Sequence, residues 1–309
     1  MRGSHEATVA SGEAGLRLDR FLRKVWPRVP LSAIYRRIDR GAVRVNGRRA
    51  EPGTRLAAGD RLALPEPPAA PAAPAPPEAG AGTVVVLHED PHVLAVDKPA
   101  GLSLHGGRDD LVTRVLARLG PGAVTRSFRP APAHQLDRGT SGVVLFGRTP
   151  EGLRGLAAAF RARAVEKRYV ALVLGAPAAE GVARLALARR AEAPLGPRVE
   201  AAPGGRAAET GWRVVRRLGD ASLVELTPRT GRTHQLRAHL AALGHPILGD
   251  DRYGTPASLR LARALGVHRL ALHATGVALR HPVSGAALRI ESPPPPAFSR
   301  WSRPASSAR

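Results

Sequence analysis

The segment HQLDRGTSGVVLFGRT, residues 134–149, joins a polar, turn-forming run to a short apolar one. The apolar run at residues 143–146 follows Gly142 directly and reads as a buried strand entered from a turn. A single carboxylate, Asp137, stands among the turn residues. Residue types alone leave two readings of it. Its side chain can bond the backbone near Thr140 and shape the turn, which spacing by itself favours. Alternatively it is a lone ionised carboxylate facing a cleft, able to act as nucleophile or base.

Outward from this segment, residues 84–87, 93–96, 169–174, 223–226 and 288–290 read as further short strands, and 150–163 as a helix. Residues 233–243 predict a second helix with Leu236, Leu240 and Leu243 as its apolar stripe and Gly244 as its stop. Strands and helices do not alternate strictly, so the expected fold is α+β with a mixed, largely antiparallel sheet over residues 84–299.

Before this large unit lies PEPPAAPAAPAPPEAGAG, residues 65–82, whose seven prolines among alanines suit an extended linker, expected over 65–83. It separates off a small α/β unit at 16–64. There Leu18, Phe21, Leu22 and Val25 follow helical spacing, closed by Pro27 and Pro30. Leu31, Ile34, Tyr35 and Ile38 repeat it, with Ser32 as N-cap and Gly41 as stop. Arg36, Arg37 and Arg40 fall on the opposite face. Asn46-Gly47 between alternating residues predicts a tight hairpin carrying Arg44, and 61–64 a last strand. Residues 1–15 are expected to form a flexible tail, as are 300–309. The opening Met-Arg-Gly-Ser-His resembles vector-derived sequence and is left out of the fold reading.

Charge narrows the partner. The chain has 47 basic and 25 acidic residues, a net +22, which suits a polyanion. Arginine in place of lysine can reflect genome composition, but the shortage of acids cannot. Residues 16–64 hold 13 basic against four acidic side chains. A charge run is usually a solvated face; one of unmixed sign favours phosphate contact. Cysteine is absent, which excludes disulfides, a thiol nucleophile and a thiolate metal site. His234 and His239 are five apart, not the four that pairs ligands on one helix face, and no metal is expected. No glycine-rich phosphate loop occurs, so no nucleotide cofactor is expected. Neither a signal-peptide core nor an apolar run of membrane-spanning length is present, so the expectation is a cytoplasmic protein without membrane contact; a monomer is expected.

Several stretches, taken in order, resemble one family. Residues 134–149 look like the signature of the RluA family of pseudouridine synthases. So do Glu89-Asp90 with DKPAG at 97–101 and HGG at 105–107, EKRYVALV at 166–173, TGRTHQLRAH at 230–239, GHPILGDDRYG at 244–254, LHA at 272–274 and His281-Pro282. The small unit resembles the S4 RNA-binding domain through RLDRFL at 17–22, residues 32–40, GAVRVNG at 41–47 and Gly59-Asp60.

The resemblance implies isomerisation of uridine to pseudouridine in structured RNA, closest to the members acting on large-subunit ribosomal RNA. Uracil is detached from C1′, turned and rejoined through C5, with no redox or phosphoryl step and so no cofactor. It implies that Asp137 is the catalytic carboxylate, kept ionised by Arg237, and that Tyr169 stacks on the flipped uracil. It implies substrate contacts from His134, Gln135 and Leu272, and RNA contacts from Arg36, Arg37, Arg40 and Arg44. On position alone, Arg237 is an exposed helix arginine, Tyr169 a core tyrosine and Leu272 a core leucine. Gln135 departs from the family, which has arginine there to fill the space left by the flipped base. A noncatalytic RNA-binding assembly factor and a basic DNA-binding protein are the competing readings.

Overall fold

The computed structural model describes residues 4–10, 13–26, 29, 31–65, 83–107, 109–125, 128–190, 198–295 and 298. Pro27, Pro30, nearly all of the linker and the 300–309 tail lie outside them. No helix among the described residues is long and apolar enough to cross a membrane. The chain divides into two compact units, residues 1–80 with 124–129 and residues 81–123 with 130–309.

In the small unit, helices α1 (Leu18–Val25) and α2 (Leu31–Asp39) accompany strands β1 (Ser4–Thr8), β2 (Arg44–Val45), β3 (Arg48–Arg49) and β4 (Arg61–Pro65). The sheet runs β1-β4-β2-β3, antiparallel throughout. Leu18, Leu22, Ile34, Ile38, Val43, Leu56 and Leu62 form its core. The hairpin turns at Asn46 and Gly47, both at positive φ, as a two-residue turn of this hand requires.

Two expectations fail here. Residues 4–10 are not a tail: β1 pairs with β4 from Ser4↔Pro65 to Thr8↔Arg61, and Val9 is buried. The strand covers the otherwise open edge of β4, and a backbone ladder needs little apolar side chain to form. Ser32 is not an N-cap, because α2 already includes Leu31.

The large unit begins with β5 (Val85–Glu89), β6 (Val93–Lys98), α3 (Leu111–Leu119), β7 (Ala131–Pro132), β8 (Ser141–Gly147), α4 (Pro150–Arg161) and β9 (Glu166–Leu174). It continues with β10 (Glu180–Arg184), β11 (Leu187–Arg190), β12 (Arg198–Ala201), β13 (Glu209–Leu218) and β14 (Ala221–Pro228). It ends with α5 (Gln235–Ala242), α6 (Pro256–Ala264), β15 (Leu272–Arg280) and β16 (Ala287–Glu291). The main sheet runs β10-β13-β14-β9-β15-β8-β6-β5, with β16 on β15 and β7 on β8. Among the described residues only the β15–β8 pair is parallel, so the sheet is mixed and largely antiparallel as expected.

That parallel junction positions the site. His273 pairs with Ser141 and Ala274 with Gly142, so β8 starts where the Asp137 loop ends. Gly142 has φ +114, and a Cβ there would lie 2.2 Å from the Ala274 carbonyl oxygen. Only glycine lets the loop enter the strand so close to β15.

Helix α5 corrects the expected stripe. Leu236 and Leu240 are buried, but so are Gln235, Arg237 and His239, while Leu243 is 37% exposed. The helix runs through the interior with bonded polar groups on it instead of presenting one apolar face.

Candidate active site

Four neighbouring strands, β14-β9-β15-β8, bring the candidate residues to one place. Asp137 precedes β8, Tyr169 lies on β9, Leu272 opens β15, and the loop after β14 leads into α5 with Arg237. All four line one cavity of 690 Å³.

The turn reading of Asp137 is partly right: its carbonyl accepts the Thr140 N–H at 3.1 Å. Its side chain does something else. Arg237 Nη1 donates to Asp137 Oδ2 at 3.1 Å, and His234 Nε2 stands 3.8 Å from Oδ1. The carboxylate keeps a quarter of its surface open to the cavity. Lys98, fully buried, holds the loop from behind. Its ammonium donates to the carbonyls of Pro99, Leu102 and Arg138, at 3.0, 2.8 and 3.1 Å. Burial lowers the Lys98 pKa to about 8, against the opposing pull of the Asp137 charge.

Arg237 is not the exposed helix arginine its position suggested; it is 8% exposed. Asp250, fully buried, accepts its Nε at 2.7 Å and its Nη2 at 2.8 Å, a forked pairing that fixes the plane of the guanidinium. The Tyr253 ring lies 4.9 Å away beneath it. Burial opposes the charge on Arg237, but Asp250 first and Asp137 second outweigh it, and the pKa is raised. Asp250 is held in turn by the N–H groups of Arg252 and Tyr253, both at 3.0 Å.

His234 adopts a left-handed backbone conformation, φ +52, at the N-terminus of α5. Its Nδ1 is 3.0 Å from the Tyr253 hydroxyl, which already accepts the Val199 N–H at 3.0 Å. With that acceptance made, the phenol can donate its own proton to Nδ1, an arrangement that leaves the proton of a neutral His234 on Nε2, toward Asp137. Burial, outweighing Asp137, lowers the His234 pKa.

Tyr169 and Leu272 share one face of the sheet, since Leu272 pairs with Ala171, two residues from Tyr169. Burial and then the Asp137 charge push the Tyr169 phenol up, so it stays protonated. His134 lines the cavity, but its Nε2 accepts the Leu145 N–H at 3.0 Å and its ring stacks on Phe160 at 4.7 Å. These bonds make it a support for the loop. Gln135 is exposed at the cavity, its amide nitrogen 3.4 Å from His105 Nε2.

In the small unit, Arg36, Arg40 and Arg44 are exposed, and Arg44 donates to the Gly47 carbonyl at 3.1 Å. Arg37 is half-buried, its guanidinium 6.0 Å from the Trp26 ring centroid.

Asp250, Tyr253, His234 and Lys98 were not expected at the site. All four lie within the stretches that resemble the family, but none was given a role at the site, and nothing in residue spacing ties them to Asp137.

Residues 92–242 match the RNA pseudouridylate synthase family and residues 16–62 the S4 domain. The chain belongs to the pseudouridine synthases, enzymes that isomerise uridine in RNA, as an RluA-family member with an N-terminal S4 domain. It is 35% identical over 292 residues to ribosomal large subunit pseudouridine synthase C of Vibrio cholerae serotype O1, spanning 91% of this chain and 90% of that protein. The enzyme of the same name from Escherichia coli strain K12 is 36% identical over 305 residues, spanning 92% and 91%. Among solved structures, human RNA pseudouridylate synthase domain containing 4 is 26% identical with a TM-score of 0.57, covering 70% of this chain and 92% of that one.

Proposed function

We propose that the chain converts uridine in large-subunit ribosomal RNA to pseudouridine, with Asp137 as the catalytic carboxylate. One observation carries the reading: Arg237, locked by Asp250, presents a single N–H to Asp137 at 3.1 Å inside a cavity that also holds Tyr169. Breaking the bond from uracil to C1′ calls for a carboxylate that is charged and aimed. Attack at C1′ and proton removal from the sugar share that requirement. A guanidinium fixed by its forked pairing with Asp250 aims one N–H at the carboxylate without enclosing both of its oxygens.

Tyr169 serves as the floor for the flipped base, with Leu272 as an apolar wall; stacking replaces what the base loses on leaving the helix. Gln135, at the open side, takes the place vacated by the base. Arg36, Arg37, Arg40 and Arg44 contact phosphates of structured RNA. The isomerisation moves no electrons to an acceptor and no phosphoryl group, so the reaction calls for no cofactor. One chain supplies every group named, and the enzyme works as a monomer in the cytoplasm, where the ribosomal RNA of its bacterial relatives is found.

The relatives' names support the choice of RNA. Incubating the purified chain with unmodified large-subunit RNA, small-subunit RNA and transfer RNA tests it. Pseudouridine is expected in the first at defined sites. Formation only in one of the other two would refute the substrate assignment.

A further inference from the structure

A second cavity, of 1010 Å³, opens beside the first and shares Arg163, Val165, Lys167, Pro228, Arg229 and Thr230 with it. Its remaining walls include Ala164, Ala186, Ala207 and Ala208, short side chains that leave a shallow floor. The cations around this passage are unevenly matched. Glu209 takes Arg184 at 3.3 Å and Arg229 at 3.2 Å, and Glu166 takes Arg168 at 3.5 Å. Among the described residues, no ion pair reaches Arg163 or Lys167, which line both cavities, or Arg232, which lines the first.

Hydrogen bonding does not explain the group either. Lys167 Nζ donates to the Thr230 carbonyl at 2.8 Å and Arg232 Nε to the Ala207 carbonyl at 3.1 Å. The Arg163 side chain has no bond to the protein among the described residues. Instead the cations act on one another. Burial first, then Arg206 and Arg163, lower the Arg232 pKa. Burial and then Arg163 lower that of Lys167 to about 8. Arg163 follows α4 at φ +58, where a helix end favours a cation, but a helix end does not gather three of them. Like charges lining one passage with no carboxylate in ion-pair reach are stabilised by an anion from outside.

We propose that Arg163, Lys167 and Arg232 form a phosphodiester-binding track that holds the single RNA strand on one side of the flipped uridine. This rests on reading the Asp137 cavity as the uridine pocket. The strand leaves that pocket across the shared wall, with its phosphates against the cations and its sugars over the alanine floor. Recognition is of backbone charge, with no reading of base identity.

The test is RNA binding by the full chain across a salt series, which does not depend on turnover. Removing two phosphate contacts in Arg163→Gln/Arg232→Gln should make the slope of log affinity against log salt shallower by about 1.4, the value for a single strand. Affinity should fall roughly tenfold at moderate salt. A charge-matched control, Arg213→Gln/Arg289→Gln, should keep the parent slope. A second arm leaves the protein unaltered and uses RNA with neutral methylphosphonate linkages flanking the target uridine. The parent should lose about as much affinity as the double variant did, and the double variant should lose little more. An unchanged slope in the double variant, an equal change in the control, or full affinity for the neutral-linkage RNA would each overturn the track. If the uridine reading alone is wrong, substituting Asp137 leaves pseudouridine formation intact, a result these binding measurements do not share.

Discussion

Arg237 gives Asp250 two hydrogen bonds, at 2.7 and 2.8 Å, and Asp137 only one, at 3.1 Å. The buried partner thus sets the guanidinium's position, and the carboxylate facing the cavity receives what remains. Asp250→Asn should separate the two relationships. Its amide nitrogen meets a guanidinium that can only donate, and a buried cation loses the closer of its two carboxylate partners. Breaking such a pair costs about 3–5 kcal/mol. Urea unfolding should show a loss of that order and single-turnover assays a slower chemical step, with RNA affinity retained. Parent-like stability and turnover would contradict the positioning role.

Tyr169 is expected to act through its ring. Tyr169→Phe keeps the stacking surface, and because the phenol stays protonated its loss should change kcat/KM by only a few-fold. Tyr169→Leu removes a stack worth about 1–3 kcal/mol, a drop in kcat/KM of roughly 5- to 150-fold. Equal effects of the two substitutions would assign the role to the hydroxyl instead.

Acid sensitivity follows from His134. Burial first, then Lys167, lower its pKa from 6.5 to about 4. The unfolded chain therefore takes up a proton near pH 6.5 that the folded chain refuses until about pH 4. The stabilisation is complete above pH 6.5 and declines as pH falls through that window, by roughly 3 kcal/mol. His134→Gln keeps an acceptor for the Leu145 N–H but cannot titrate. Its stability should fall less steeply than the parent's between pH 6.5 and 4 in urea titrations; parallel curves would count against this.

Gln135 carries no charge where the family has arginine. Gln135→Arg should tighten RNA binding several-fold and steepen the salt dependence by about 1. Unchanged affinity and turnover would show that this position does not meet the RNA.

Much of this was legible from residues, for reasons that differ by position. The strand after Gly142 and the hairpin at Asn46-Gly47 are local, and local signals showed them. Asp137, Tyr169, Arg237 and Leu272 came through motif resemblance, because their meeting depends on strands far apart in sequence. Asp250 and Asp251 are adjacent acids in a loop; one side chain is fully buried and the other 97% exposed, and no periodicity distinguishes them. Strand β13 hid because a bulge between Val214 and Arg216 breaks its alternation. Helix α6 had a readable start, Thr255-Pro256 with Ser258 closing a capping box, which apolar spacing alone passed over. Strand β1 has too few apolar residues to show itself, since its contribution is a backbone ladder along β4.

The most direct measurement is a pseudouridine map of large-subunit RNA from cells lacking this gene, complemented by the parent or by Asp137→Asn. The parent should restore every missing site. Asp137→Asn, which keeps the side chain's shape and RNA binding but not its charge, should restore none. Restoration of those sites by the Asn copy would contradict the role given to the Asp137 carboxylate.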